Sequence, residues 1–166
     1  MRLSAFIEAH IEDILLEWDS FAKTLIVTRD HLNPLVLRDH AREMLIEVLR
    51  DTGALQGPWQ PIDRTKGHTY VYHQDESAAN IHGALRHEQG FSVPQVATEF
   101  QALRAAVLRL WLPHISVLGK EVAEDIVRFN VAIDKALAES IVTYREFAAP
   151  NGTEGQEIPN WGTAHA

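Results

Sequence analysis

The chain has 166 residues, 46% of them apolar, with 23 acidic and 15 basic side chains and a formal net charge of −8; this suffices for one domain with a real core and falls short of two ordinary ones. No Lys/Arg cluster supplies the electrostatic footprint that phosphate backbones require, so nucleic acid is not an expected partner. There is no cysteine, which excludes disulfides, thiolate nucleophiles and cysteine-ligated metal centres and permits a reducing cytoplasm.

The opening "MRLSAFIEAHIEDILLEW" has the early arginine of a signal peptide, but Glu8, Glu12 and Asp13 interrupt any apolar core a translocon could use. Leu3, Phe6, Ile7, Ile11, Ile14, Leu15, Trp18, Phe21 and Leu25 recur at three- and four-residue steps, which predicts one amphipathic helix of roughly six turns. Asn33-Pro34 is a helix start, with Asn as cap and Pro at the first helical position. Leu37, Ala41, Met44, Leu45 and Val48 continue it, and Gly53 is the expected stop.

From Gly53 to about Gln74 no period survives, and "GALQGPWQPIDRTKGHTYVYHQ" reads as a long connection. His68 and His73 lie there near Asp63, Asp75 and Glu76, a group that could form a surface metal site or supply a haem ligand; the plainer reading is a polar loop. Asp75 can cap a third helix, "ESAANIHGALRHEQ", which Gly90 ends, and Ser92 with Gln95 three residues later is a capping-box signature opening the fourth. Along the fourth, Val96, Phe100, Leu103, Val107 and Leu110 form a seam for another helix of the chain or of a partner subunit, and Pro113 should end or kink it.

The most apolar segment, "AAVLRLWLPHISVLG", carries Arg109 and Pro113, so no membrane span is expected. The last helix, from about Lys120 to Phe147, carries Val122, Ile126, Phe129, Ile133, Leu137, Ile141 and Tyr144 on one side and would be about 42 Å long. After Ala149 the composition turns to Pro, Gly, Thr and polar residues, which predicts a mobile tail over 150–166 and one helical domain over 1–149.

The stretch "HGALRHEQGFSVPQVATEF" invites chemistry and mostly fails the tests for it. His82 and His87 are five apart, about 140° in azimuth on a helix, whereas ligands sharing one ion sit at i and i+4. "HEQGF" puts Phe91 where a zinc protease needs its second histidine. Gly119-Lys120 is followed by Glu121 rather than Ser or Thr, so no phosphate cradle forms, and there is no G-x-S-x-G elbow. His87-Glu88 matches the opening of a kinase phosphoacceptor box, but Gln89 to Val93 precede the proline and no ATP-lid sequence follows.

No catalytic residue, cofactor or metal ligand set is therefore expected, and the chain reads as a non-enzyme. What remains is packing: Gly83 costs about 1 kcal/mol against alanine inside a helix, and with Ala79 it makes a small patch where another helix or a ligand can come close. Glu99 and Arg104 fall on either side of the apolar stripe, each more simply a solvated edge than a pocket wall or a pin in a dimer seam.

The segment "AANIHGALRHEQGFSVPQVATEFQALRAAVLRLW", supported by "FNVAIDKALAESIVTYREF" and "LSAFIEAHIEDILLEW", resembles the RsbRD N-terminal domain family, the input domain of bacterial stressosome RsbR-type proteins and of certain sensor histidine kinases. That resemblance spans about residues 3 to 148. It implies an all-α, globin-like bundle of about five main helices with a long C-terminal helix, generally without haem, cytoplasmic and homodimeric. It further implies that a signal passes through the last helix to a kinase or stressosome-type output, which in these 166 residues would have to come from elsewhere. On this reading the candidate signal pocket or helix-packing motif is His82, Gly83, Arg86, His87, Gln89, Gly90, Phe91, Phe100 and Arg104. Two other functions follow from the histidines: a haem- or small-molecule-binding globin relative with His68, His73, His82 or His87 as axial ligand, and a phosphotransfer protein using His82 or His87.

Overall fold

The computed structural model describes residues 1–26, 34–54 and 77–149. The long connection with His68 and His73, the Asn33 and Asp75 caps and the segment 150–166 lie outside them. The described residues form an all-α bundle: α1 (Leu3–Ala9), α2 (Ile11–Ile26), α3 (Pro34–Ala54), α4 (Ala78–Glu88), α5 (Val93–Trp111), a 3-10 turn (Leu112–His114) and α6 (Lys120–Ala148). None of these helices is long and apolar enough to cross a membrane.

The expected first helix is two. It breaks at His10, whose φ of −125° and ψ of 24° leave the helical region while its amide still donates to the Phe6 carbonyl at 2.9 Å. No glycine or proline marks that break; the His10 ring stacks on Phe6 at 4.5 Å and its Nδ1 meets Asp13 at 3.2 Å, so side-chain contacts hold the elbow. The apolar stripe nonetheless stays continuous, because Leu3, Phe6, Ile7, Ile14, Leu15 and Trp18 are all buried in one core.

The start of α1 is tied down from across the molecule. Arg2 offers no local cap, and the Leu3 amide donates instead to Asp125 of α6 at 3.0 Å, while the Arg2 Nε donates to the same carboxylate at 2.9 Å. An orphan amide at a helix start is normally satisfied by a neighbour in sequence; here a residue 122 positions away does it. Trp111 at the end of α5 adds a second tie by donating its indole N–H to the Met1 carbonyl at 3.0 Å.

The corner between α4 and α5 follows its sequence signals. Gly90 takes a φ of 69°, the left-handed conformation that ends helices, and Ser92 and Gln95 satisfy each other's backbone amides in a full capping box. At the other end of α4 the cap is Ser77, whose Oγ accepts from the Asn80 amide at 3.1 Å. Pro113 sits in the 3-10 turn that closes α5. Val96, Phe100, Leu103 and Val107 are buried within the chain itself, where α5 packs on α2 and α6.

At 29 residues α6 is about 43 Å long. It packs on α4 more extensively than any other pair of helices meets. Ala132, Ala136 and Ser140 are small residues buried along α6 with Phe129 and Ile133, and Ser140 is the one that meets α4, at Gly83 and His82. Small side chains let two helix backbones approach, and Gly83 opposite Ser140 is where α4 and α6 do so.

Candidate functional site

Four polar side chains that a helical wheel would send to water are enclosed where α4, α5 and α6 meet: His82, Arg86 and Ser140 are 0% exposed and Glu99 is 1% exposed. Burying charges without partners is prohibitive, so each must be accounted for. The Arg86 Nε donates to both Glu99 oxygens, at 2.9 and 2.8 Å, and its Nη1 donates to the Gln89 side-chain oxygen at 2.8 Å. The guanidinium carbon lies 5.0 Å from the centre of the Phe91 ring. Phe100 closes the opposite side, edge-on to the His82 ring at 5.3 Å.

His82 links this ion pair to α6. Its Nδ1 is 2.9 Å from Ser140 Oγ and its Nε2 is 3.3 Å from Glu99 Oε2. A carboxylate can only accept, so the neutral ring carries its proton on Nε2 and the Ser140 hydroxyl donates to Nδ1. The Nε2–Glu99 contact is within ionic reach but misaligned, and Nε2 makes no full hydrogen bond.

Burial holds the His82 imidazole below its ordinary pKa, and Glu99 only partly offsets that. Burial alone would raise the Glu99 carboxyl; His82 and Arg86 outweigh it and hold the group below the usual carboxylate range. The cluster at neutral pH is thus a buried Arg–Glu ion pair beside a neutral histidine. Trp18 of α2 fastens the same place by donating its indole N–H to the Glu99 carbonyl at 3.3 Å.

Gly83 stands beside this cluster for a steric reason. A Cβ built on it would lie 2.1 Å from the Ser140 carbonyl oxygen and 2.9 Å from the carbonyl carbon, both backbone atoms of α6 that cannot move aside. Asn80 receives a hydrogen bond from the Thr143 hydroxyl at 3.1 Å, and past the corner the Tyr144 hydroxyl donates to the Phe91 carbonyl at 2.6 Å. α4 and the corner after it are therefore fastened to α6 at successive points.

Of the nine residues singled out in the sequence, His82, Gly83, Arg86, Phe91 and Phe100 come together around this cluster, and Gln89 joins it through Arg86. Gly90 makes the corner. His87 lies outside, its ring edge-on to Tyr144 at 5.2 Å, and Arg104 is elsewhere, paired with Asp134 of α6 and with its Nε buried and unbonded among the described residues. Glu99 overturns the expectation of a solvated edge: the wheel put it at the boundary, but a cation from the next helix pulls it inside. Ser140 carried no signal in the sequence, because a serine between apolar residues of a long helix looks like any polar interruption.

The geometry also bears on the two histidine chemistries. Both His82 ring nitrogens face protein partners and the ring has no exposed surface, so neither an iron nor a phosphate donor reaches it without unpacking α4 from α6. Among the described residues no three His, Asp or Glu side chains are arranged to hold a metal ion. An open cleft of about 540 Å³ lies elsewhere, between α1, α2 and the end of α5, with Phe6, His10, Asp13, Glu17 and His114 in its walls. Its polar groups are already engaged, His10 with Asp13 and Glu17 with Arg109, whereas the buried cluster holds unsatisfied atoms. No protein-family model, no curated protein and no solved structure matches the chain, so the candidate site rests on its own geometry.

Proposed function

We propose that the chain is a signal-input domain of the RsbRD type from a bacterial signal-transduction protein, a homodimer that passes the state of its α4–α5 corner through α6 to a histidine kinase or stressosome-type output. The observation that carries this reading is the fastening of that corner to α6. His82 and Gly83 both meet Ser140, and Phe91 meets Tyr144. A change in the packing of α4 must be felt by a rigid helix about 43 Å long. Relay of this kind requires two discrete packings that the signal binds unequally, and a buried, partly satisfied polar cluster is a place where two packings can be close in energy.

The test joins the chain through α6 to a histidine-kinase output module and measures autophosphorylation. Ser140→Ala and Tyr144→Phe each remove one fastening and leave helix propensity nearly unchanged. The expected result is a severalfold change in kinase activity with unaltered far-UV circular dichroism and an unaltered dimer mass by light scattering. Wild-type output from both variants, or a monomer at tens of micromolar, would refute the reading.

A further inference from the structure

Leu16 does not fit the pattern of its own helix. The apolar stripe of α2 is buried through Ile14, Leu15 and Trp18, yet Leu16 is 60% exposed, in the wall of the cleft between α1, α2 and the end of α5. That cleft measures about 540 Å³, within the usual range for sites that take small molecules. The elbow at His10 and the 3-10 turn after α5 meet in it. The His10 and His114 rings lie 5.3 Å apart, and both contact Phe6, at 4.5 and 5.0 Å. Phe6 is buried, His10 is half-buried and His114 is exposed, so the two imidazoles and Leu16 give the cleft an accessible aromatic and apolar lining.

The charge of the walls selects the ligand. Asp13 and Glu17 also line the cleft, and no lysine or arginine is among the described residues that do. One turn apart on α2, the two carboxylates share a face of the helix, with about 5–6 Å between Cβ atoms at that spacing. The protein leaves both of them capacity for a further partner. His10 Nδ1 meets only Oδ2 of Asp13, whose side chain is 68% exposed, and Glu17 pairs with Arg109, itself 67% exposed and outside the walls. Ion pairs so open to water are weak, and a cation inside the cleft can share the Glu17 carboxylate. An anion would be repelled by both carboxylates, and among the described residues no three side chains stand ready for a metal ion. An ammonium has three donors to divide between two carboxylates, while its carbon body covers the rings.

We infer that this cleft binds a small primary amine in its ammonium form, with the charged head between Asp13 and Glu17 and an apolar or aromatic body against His10, His114 and Leu16. The site goes beyond the relay and does not rest on it. No residue of α4 or α6 is in its walls, so amine binding can fail with the relay intact, and the relay can fail with amine binding intact.

Phenethylamine is the probe, with phenylethanol as its uncharged analogue and phenylpropanoate as its anionic one. Each is titrated into the full isotope-labelled chain at constant ionic strength and followed by NMR, with methylammonium as the background for any cation on a chain of net charge −8. Phenethylamine should shift the Leu16 methyl and His114 imidazole signals saturably, with a Kd below about 1 mM, as a ligand of roughly nine non-hydrogen atoms permits. It should bind more tightly than phenylethanol, and phenylpropanoate should not bind. Asp13→Asn and Glu17→Gln keep shape and remove charge; each should weaken the amine about three- to fivefold, the upper range for a part-exposed ion pair, and leave the alcohol unchanged. Leu16→Asn should weaken amine and alcohol alike. Equal affinity for amine and alcohol, amine shifts scattered over the surface as those of methylammonium are, or an amine affinity unaltered with both carboxylates neutralised, overturns the inference.

Discussion

Gly83 is where sequence and structure meet most directly. A glycine inside a helix asks why alanine was not used, and the sequence answered with close approach without being able to say to what. The partner is the backbone of Ser140, 57 residues further on, at a distance that leaves no room for a methyl group. Gly83→Ala gains about 1 kcal/mol of helix propensity but forces two helices apart, and overpacking costs about 1–3 kcal/mol or more. Because the clash is with backbone, the upper end applies, and we expect a net loss of about 2 kcal/mol, or roughly 4–8 °C in melting temperature for a domain of this size. A melting curve within 1 °C of wild type would show that α4 and α6 are not held this tightly. Glu99 teaches the converse: the wheel of α5 puts it at the boundary and favours a solvated edge, yet it is 1% exposed because Arg86, a residue of another helix, pairs with it, and a wheel drawn for one helix holds no information about that.

At the scale of whole helices, local chemistry was legible and long-range ties were not. Pro34 at the head of α3, the Ser92–Gln95 box and the Gly90 stop are contacts within a few residues, so the spacing alone announced them. The elbow at His10 had no such mark. It depends on Phe6 below the ring and His114 beside it, at 4.5 and 5.3 Å, and His114 comes from the 3-10 turn after α5. The apolar period of α6 likewise named its large residues, whereas the close approach to α4 is at Ser140. Asp125 is the clearest long-range tie, since it caps α1 and pairs with Arg2 while itself buried. Asp125→Ala leaves the Leu3 amide and the Arg2 guanidinium without that acceptor, and hydrogen bonds to charged groups are worth about 1.5–3 kcal/mol. We expect a loss in that range, together with faster amide exchange confined to α1. Uniform exchange across the molecule, with α1 no worse than α6, would contradict the tie.

For the molecule as a whole the buried cluster dictates a pH dependence. His82 has a folded-state pKa below its ordinary value near 6.5, so between those two values the unfolded chain binds the proton and the folded one does not. Stability is then complete above about 6.5 and falls as the pH drops through this window. Glu99 is held below its ordinary 4.5, so its contribution is present above 4.5 and is lost as pH falls further. Glu47, raised by burial, acts in the opposite sense: it favours the folded state as pH falls toward 4.5 and partly masks the lower end of the histidine window. The acid limb should therefore have two stages, a first beginning near pH 6.5 and a second below 4.5. Urea midpoints measured from pH 8 to 4 should show both stages in the wild type and only the second in His82→Gln. A first stage that persists unchanged in His82→Gln would assign the proton to another group and with it remove the argument that this histidine is the neutral, buried link between α4 and α6.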